Sequence, residues 1–213
     1  MKGFGLFKYG AFLFFIIGLV FSLIQQKAQF LIWLVHYRIP YADYYFYYAT
    51  RLAEPVGFMA CAIFLWFYSW KKMITVPFAG AIVLVVSFSL KLLFHHERPS
   101  LYLSRIAYDG PLAVLTYPML SGNNGFPSGH SMAAWALYTL VAAHTKKTWM
   151  SALCLMCALS VSISRVYLMA HFLEDVVFGG AVGVLIGYGV YYVYVSRIKA
   201  RARQKEVVGP GIP

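Results

Sequence analysis

At 213 residues, 61% hydrophobic and only 12% charged, the chain has too little polar surface for a water-soluble domain, which runs nearer a quarter charged. Its mean hydropathy of +0.68 requires lipid to cover part of the fold. The net charge of +11 does not mark a nucleic-acid binder, because Lys and Arg fall in short clusters between apolar runs and not along one basic stripe.

Six apolar runs follow one another, at about 9–24, 55–70, 74–90, 131–143, 148–164 and 176–196. Some fall short of the roughly 17–25 residues a bilayer crossing needs, and the chain is expected to be an all-α membrane protein with six transmembrane helices. The first run follows Lys2 and Lys8 and could pass for a secretory signal. Gln25, Gln26 and Lys27 occupy the place of a cleavage site, so it is read as a retained span. Between the first two runs, residues 36–48 hold six tyrosines: Tyr37, Tyr41, Tyr44, Tyr45, Tyr47 and Tyr48. They suit an interfacial aromatic belt, or a wall beside an active site.

Cys61, Cys154 and Cys157 all lie inside apolar runs and read as small packing residues. In the last run Gly179, Gly183 and Gly187 recur every four residues, a stripe on which a neighbouring helix can pack within the protomer or between protomers. Residues 1–200 are expected to form one integral membrane domain. Residues 201–213, basic and then rich in Gly and Pro, are expected to be a disordered cytoplasmic tail.

Six crossings put both termini on one side, and charge selects which. That side carries eleven Lys and Arg residues against one acid, Glu206; the other carries seven, with six of the seven acids. The excess marks the first side as cytoplasmic.

Chemistry concentrates on the opposite side, in three clusters at the ends of apolar runs. The first runs from Lys91 to Arg98-Pro99. The second, Pro127-Ser128-Gly129-His130, opens the fourth run, where a helix start offers backbone N–H groups to an anion. The third holds Ser164-Arg165, His171 and Asp175. Four residues apart on a helix, His171 and Asp175 can hydrogen-bond, which would fix the imidazole tautomer; Glu174 is a nearby alternative at i+3 spacing. Three cations, a helix start and two histidines suit a phosphoryl group. His95 and His96 flank Glu97, but neighbours on a helix point different ways, so no metal site is expected; His36 and His144 read as interfacial.

These clusters, Lys91…Arg98-Pro99, Pro127-Ser128-Gly129-His130 and Ser164-Arg165…His171…Asp175, resemble the three signature motifs of the type 2 phosphatidic acid phosphatase (PAP2) family, in order and at matching spacing. The composition fits its membrane-embedded bacterial lipid phosphatase branch and excludes the soluble vanadium haloperoxidases. Some members carry an arginine two residues before that of the first motif; His96 stands there in this chain.

The resemblance implies His171 as nucleophile, forming a phosphohistidine, with His130 as acid and then base and Asp175 orienting His171. Lys91, Arg98, Arg165, Ser128 and Gly129 would hold the phosphoryl oxygens, without a metal or other cofactor. The expected substrate is a membrane lipid phosphate or diphosphate, of the undecaprenyl diphosphate, phosphatidylglycerophosphate, phosphatidic acid or lipid A class. The expected location is a bacterial inner membrane, with the site facing the periplasm. The rival functions are a lipid-to-lipid phosphotransferase, a phosphatase of soluble esters, and a transporter or lipid-binding scaffold.

Overall fold

The computed structural model describes residues 2–25, 27–110 and 120–208. Among them are ten α-helices and no strand. In chain order these are α1 (Lys2–Ile24), α2 (Gln29–His36), α3 (Pro40–Thr50), α4 (Pro55–Trp66), α5 (Trp70–Met73), α6 (Thr75–Leu93), α7 (Pro99–Arg105), α8 (Gly129–Thr145), α9 (Thr148–Tyr167) and α10 (Leu173–Val208).

Apolar side chains that a soluble protein would hide stand on the outside. Phe12, Leu13, Ile17, Leu23 and Ile24 of α1, and Phe78, Leu84, Val85 and Phe88 of α6, are each more than half exposed, as lipid-facing helices require. Among the described residues, four helical stretches are long and apolar enough to cross a membrane: Gly3–Ile24, Trp70–Leu93, Thr148–Tyr167 and Leu173–Gln204.

The two remaining expected runs behave differently. The run at 55–70 stops as a helix at Trp66 and pairs with the preceding helical stretch, Pro40–Ala53, at a bend of 58°; counted together they give a fifth span. Pro55 produces this break, because the residue before a proline avoids the helical region and Glu54 is accordingly extended (φ −92°, ψ 176°). The tyrosine-rich stretch thus becomes helix α3, with Tyr41, Tyr44, Tyr45 and Tyr48 outward and Asp43 buried.

The run at 131–143 is the 17-residue α8, and every residue from Ser131 to Thr145 is buried. A helix apolar on all faces suits the centre of a bundle as well as it suits lipid. Here α1, α4, α6, α9 and α10 all pack against it. The expected tail also differs: α10 continues to Val208, so residues 201–208 are helical, while 209–213 lie outside the described residues.

The glycine stripe has a specific use within the chain. A Cβ at Gly179 would lie 2.6 Å from the Ser128 carbonyl oxygen, at Gly183 2.3 Å from that of Met132, and at Gly187 2.4 Å from that of Ala136. Successive turns of α10 therefore sit on the backbone of α8, which holds Ser128 and His130 at the mouth of α10. Gly183→Ala should force the helices apart at a cost of about 1–3 kcal/mol, the usual range for overpacking. Thermal unfolding in detergent should show a clear drop for Gly183→Ala and none for Gly189→Ala, where nothing lies within 4 Å.

Candidate active site

The three sequence clusters meet where α6 ends and α8 and α10 begin. Two backbone bonds join the first to the second: Arg98 N–H donates to the Gly122 carbonyl (2.9 Å) and Gly125 N–H to that of His96 (2.9 Å). The Arg98 side chain adds two more, from Nε to Asn124 Oδ1 (2.8 Å) and from a terminal nitrogen to the Ala170 carbonyl (3.1 Å). It therefore clamps the loop of the second cluster to that of the third.

The third cluster is held by the way α9 ends. The Arg165 carbonyl accepts from the N–H groups of both Ala170 (3.0 Å) and His171 (3.2 Å). Closing this turn places Met169 in the left-handed region (φ 54°), a conformation that costs a non-glycine residue roughly 1–2 kcal/mol. Arg165 and His171 are thereby fixed relative to each other. Both are nearly inaccessible, as is Asp175, at 1%, 2% and 1% exposed respectively.

His171 Nδ1 lies 2.6 Å from the Gly125 carbonyl oxygen and 3.6 Å from Asp175 Oδ2. A carbonyl only accepts, so Nδ1 carries the proton and Nε2 keeps its lone pair. The orienting bond thus comes from the second cluster and not from Asp175, as the i,i+4 spacing suggested. The physical reason is that α10 starts at Leu173, so His171 is not on the helix that the spacing argument assumed. Asp175 instead accepts the N–H of Phe172 at 2.9 Å, capping the start of α10, while its Oδ1 has no hydrogen-bond partner among the described residues. Of the two acids, Asp175 is the buried one and Glu174 is partly exposed.

Ser128 is fully buried, and its polar groups serve the backbone. Its N–H donates to the Asp175 carbonyl (3.0 Å) and its hydroxyl accepts from Ser131 N–H (3.4 Å) as the cap of α8. The Ser128 N–H that the motif offered to phosphate is therefore occupied. Gly129 and His130 follow in the first turn, where N–H groups have no acceptor within the helix, and a Cβ at Gly129 would lie 3.0 Å from Ser87 Oγ.

Lys91, Arg98 and Arg165 act electrostatically on both His130 and His171, so all five side chains share one field. Burial first, and then those three cations, push the His171 imidazole well below its ordinary 6.5 and hold it neutral.

Three contributors carry no motif signal. Thr50 Oγ1 takes an Arg165 N–H at 2.7 Å. Asn124 holds Arg98, as above. Glu54 Oε1 lies 3.6 Å from His130 Nε2; an acid directly before a proline at a helix start was its one available signal. His95 and His96 are exposed, with the His96 ring against Phe126. His144 is buried against Thr75, Tyr191 and Tyr194 at the opposite end of α8. The three cysteines are free thiols. Among the described residues no group of three or more His, Cys, Asp or Glu is placed to hold a metal ion.

Comparison with known proteins decides the family. The model of the PAP2 superfamily matches residues 72–199, which contain all three clusters. The chain belongs to the PAP2 superfamily. It is 26% identical to the lipid A 4'-phosphatase of Bacteroides thetaiotaomicron, over 81% of this chain and 77% of that protein. It is also 26% identical to the putative undecaprenyl-diphosphatase YbjG of Escherichia coli, over 79% of this chain and 77% of that one. The crystal structure of Aquifex aeolicus LpxE superposes with a TM-score of 0.65 at 25% identity, covering 77% of this chain and 93% of that one. As a PAP2 protein with membrane-length apolar helices, the chain is a membrane enzyme that hydrolyses a lipid phosphate.

Proposed function

We infer that this PAP2 enzyme removes phosphate from a lipid mono- or diphosphate through a phosphohistidine on His171. Lipid A and undecaprenyl diphosphate, named for its relatives, head the substrate candidates. One observation supports the reading: Lys91, Arg98 and Arg165, from separate stretches of chain, all act on both His130 and His171 at one end of the bundle. The mechanism follows from their chemistry. His171 Nε2 attacks phosphorus while His130 gives a proton to the departing oxygen; water then attacks the phosphohistidine, with His130 taking its proton. Lys91, Arg98, Arg165 and the first-turn N–H groups of α8 stabilise the charge on the equatorial oxygens. Asp175, 3.6 Å from Nδ1 and bonded to the Phe172 N–H, packs beside His171, with the Gly125 carbonyl holding the ring.

A lipid substrate is favoured by the apolar flank of the site. Phe94, Phe126 and Phe178 form an aromatic cluster beside the first two motifs. Phe94 and Phe178 are 43% and 40% exposed, with Leu92 and Leu93 still more open. A tail can stay in the bilayer against this wall while the headgroup enters. The six-span topology, with α8 as the fourth crossing, both termini cytoplasmic and the site periplasmic, rests on the bias of eleven cations to seven.

The test is phosphate release by detergent-purified protein across a panel of lipid phosphates and diphosphates, with tail-free esters alongside, in the presence of EDTA. Turnover of tailed substrates far above tail-free ones, undiminished by the chelator, is expected. Equal rates on tail-free esters would contradict the lipid reading, and activity lost to EDTA and restored by Mg²⁺ would contradict charge stabilisation by the three side-chain cations alone. Passage of labelled phosphate to an added acceptor lipid would mark a phosphotransferase.

The neutral nucleophile also has a pH signature. A histidine pushed below 6.5 stays deprotonated into mild acid, so the acid limb of kcat/KM that reports His171 should lie below pH 6.5. Lys91→Met removes one opposing cation, raises the His171 pKa and should move that limb to higher pH. Using one substrate for both proteins cancels the substrate's own titration; an unmoved limb would show that Lys91 does not face the nucleophile.

A further inference from the structure

The end of α3 and the turn that joins it to α4, residues 50–54, lie outside the residues matched to the family yet touch the site twice. Thr50 holds Arg165, and Glu54 reaches His130. The segment is pinned to the helix that carries His130: Tyr138 of α8 donates to the Leu52 carbonyl at 3.1 Å, and Ala53 is buried. Its return into α4 is equally tight, since a Cβ at Gly57 would lie 2.1 Å from the same Leu52 carbonyl oxygen. Glu54 is thus delivered to His130 by a fixed turn.

His130 needs such a partner. Burial first, and then Arg165 from α9, Lys91 from α6 and Arg98 from the loop before α7, act against a positive charge on His130. The acid step nevertheless requires the imidazolium. Resting on the hydrolase reading above, we propose that Glu54 is a positioning residue that orients His130 toward the leaving oxygen and stabilises its imidazolium while the proton is passed. His130 gives its proton to the lipid oxygen as that P–O bond breaks and the P–N bond to His171 forms. It regains a proton from water as the new P–O bond forms and P–N breaks.

Glu54→Gln keeps the side-chain size and removes the charge, so it separates this role from a structural one. Two tailed substrates are compared: an alkyl phosphate, whose leaving oxygen needs a proton, and a nitrophenyl phosphate, whose leaving group departs without one. The expected result is a fall in kcat of tenfold or more on the alkyl ester and less than threefold on the aryl ester. The alkaline limb of kcat/KM, which reports loss of the His130 proton, should move to lower pH, because the neutral imidazole gains when the carboxylate goes. Equal losses on both substrates, or an unmoved alkaline limb, would overturn the proposal while leaving the hydrolase reading intact. A wild-type enzyme that turned over neither substrate would overturn both.

Discussion

His171→Ala is expected to lower turnover by about 10⁴-fold or more, to the floor of the assay, while the protein still binds a phosphate analogue such as vanadate. A covalent route is lost entirely with its nucleophile, which is why single deletions of such residues are nearly as severe as removing the whole catalytic set. Binding should persist because Lys91, Arg98 and Arg165 come from other elements and remain. Alanine leaves the Gly125 carbonyl unpaired, at a cost of roughly 1–3 kcal/mol. His171→Gln offers that carbonyl an N–H again and should be as inactive with less loss of thermal stability. Steady-state phosphate release, vanadate binding and unfolding temperature in detergent check the three parts. A purified His171→Ala protein with full turnover would show that the nucleophile is elsewhere.

Arg165→Lys is expected to cost about 10²–10³-fold in kcat/KM although it preserves charge. Arg165 is 1% exposed, and its guanidinium donates to Thr50 Oγ1 at 2.7 Å. A planar fork can satisfy that hydroxyl and a phosphoryl oxygen together, whereas an ammonium is a point charge on a flexible stem. A buried lysine also pays for desolvation, which favours its neutral form. Thr50→Val, which removes only the strut, should cost less, on the order of a few-fold to tenfold. Near-wild-type turnover of Arg165→Lys would mean that Arg165 only braces the fold.

How far the sequence led depends on whether a feature is local. The three clusters were legible because each puts its chemistry within a few residues, and the glycine stripe because α-helical spacing projects onto one face. Other features were set by tertiary geometry. The Gly125 carbonyl, Asn124 and Thr50 lie in unremarkable stretches and gain meaning only when loops meet. His171 and Asp175 stand four residues apart but not on one helix, because α10 begins between them. That α8 is enclosed by five other helices was not legible either, because a helix buried by other helices and one buried by lipid share the same pattern. The run at 55–70 ends as a helix at Trp66, and the break that precedes it at Glu54-Pro55 is what brings Glu54 to the site.

The most direct test of the account is to quench the enzyme in alkali during turnover of a lipid phosphate and map the phosphorylated peptide by mass spectrometry. A phosphoryl group on His171, stable in base and labile in acid, is the predicted result. Phosphate on another residue, or no phosphoenzyme in a protein that is turning over, would contradict it.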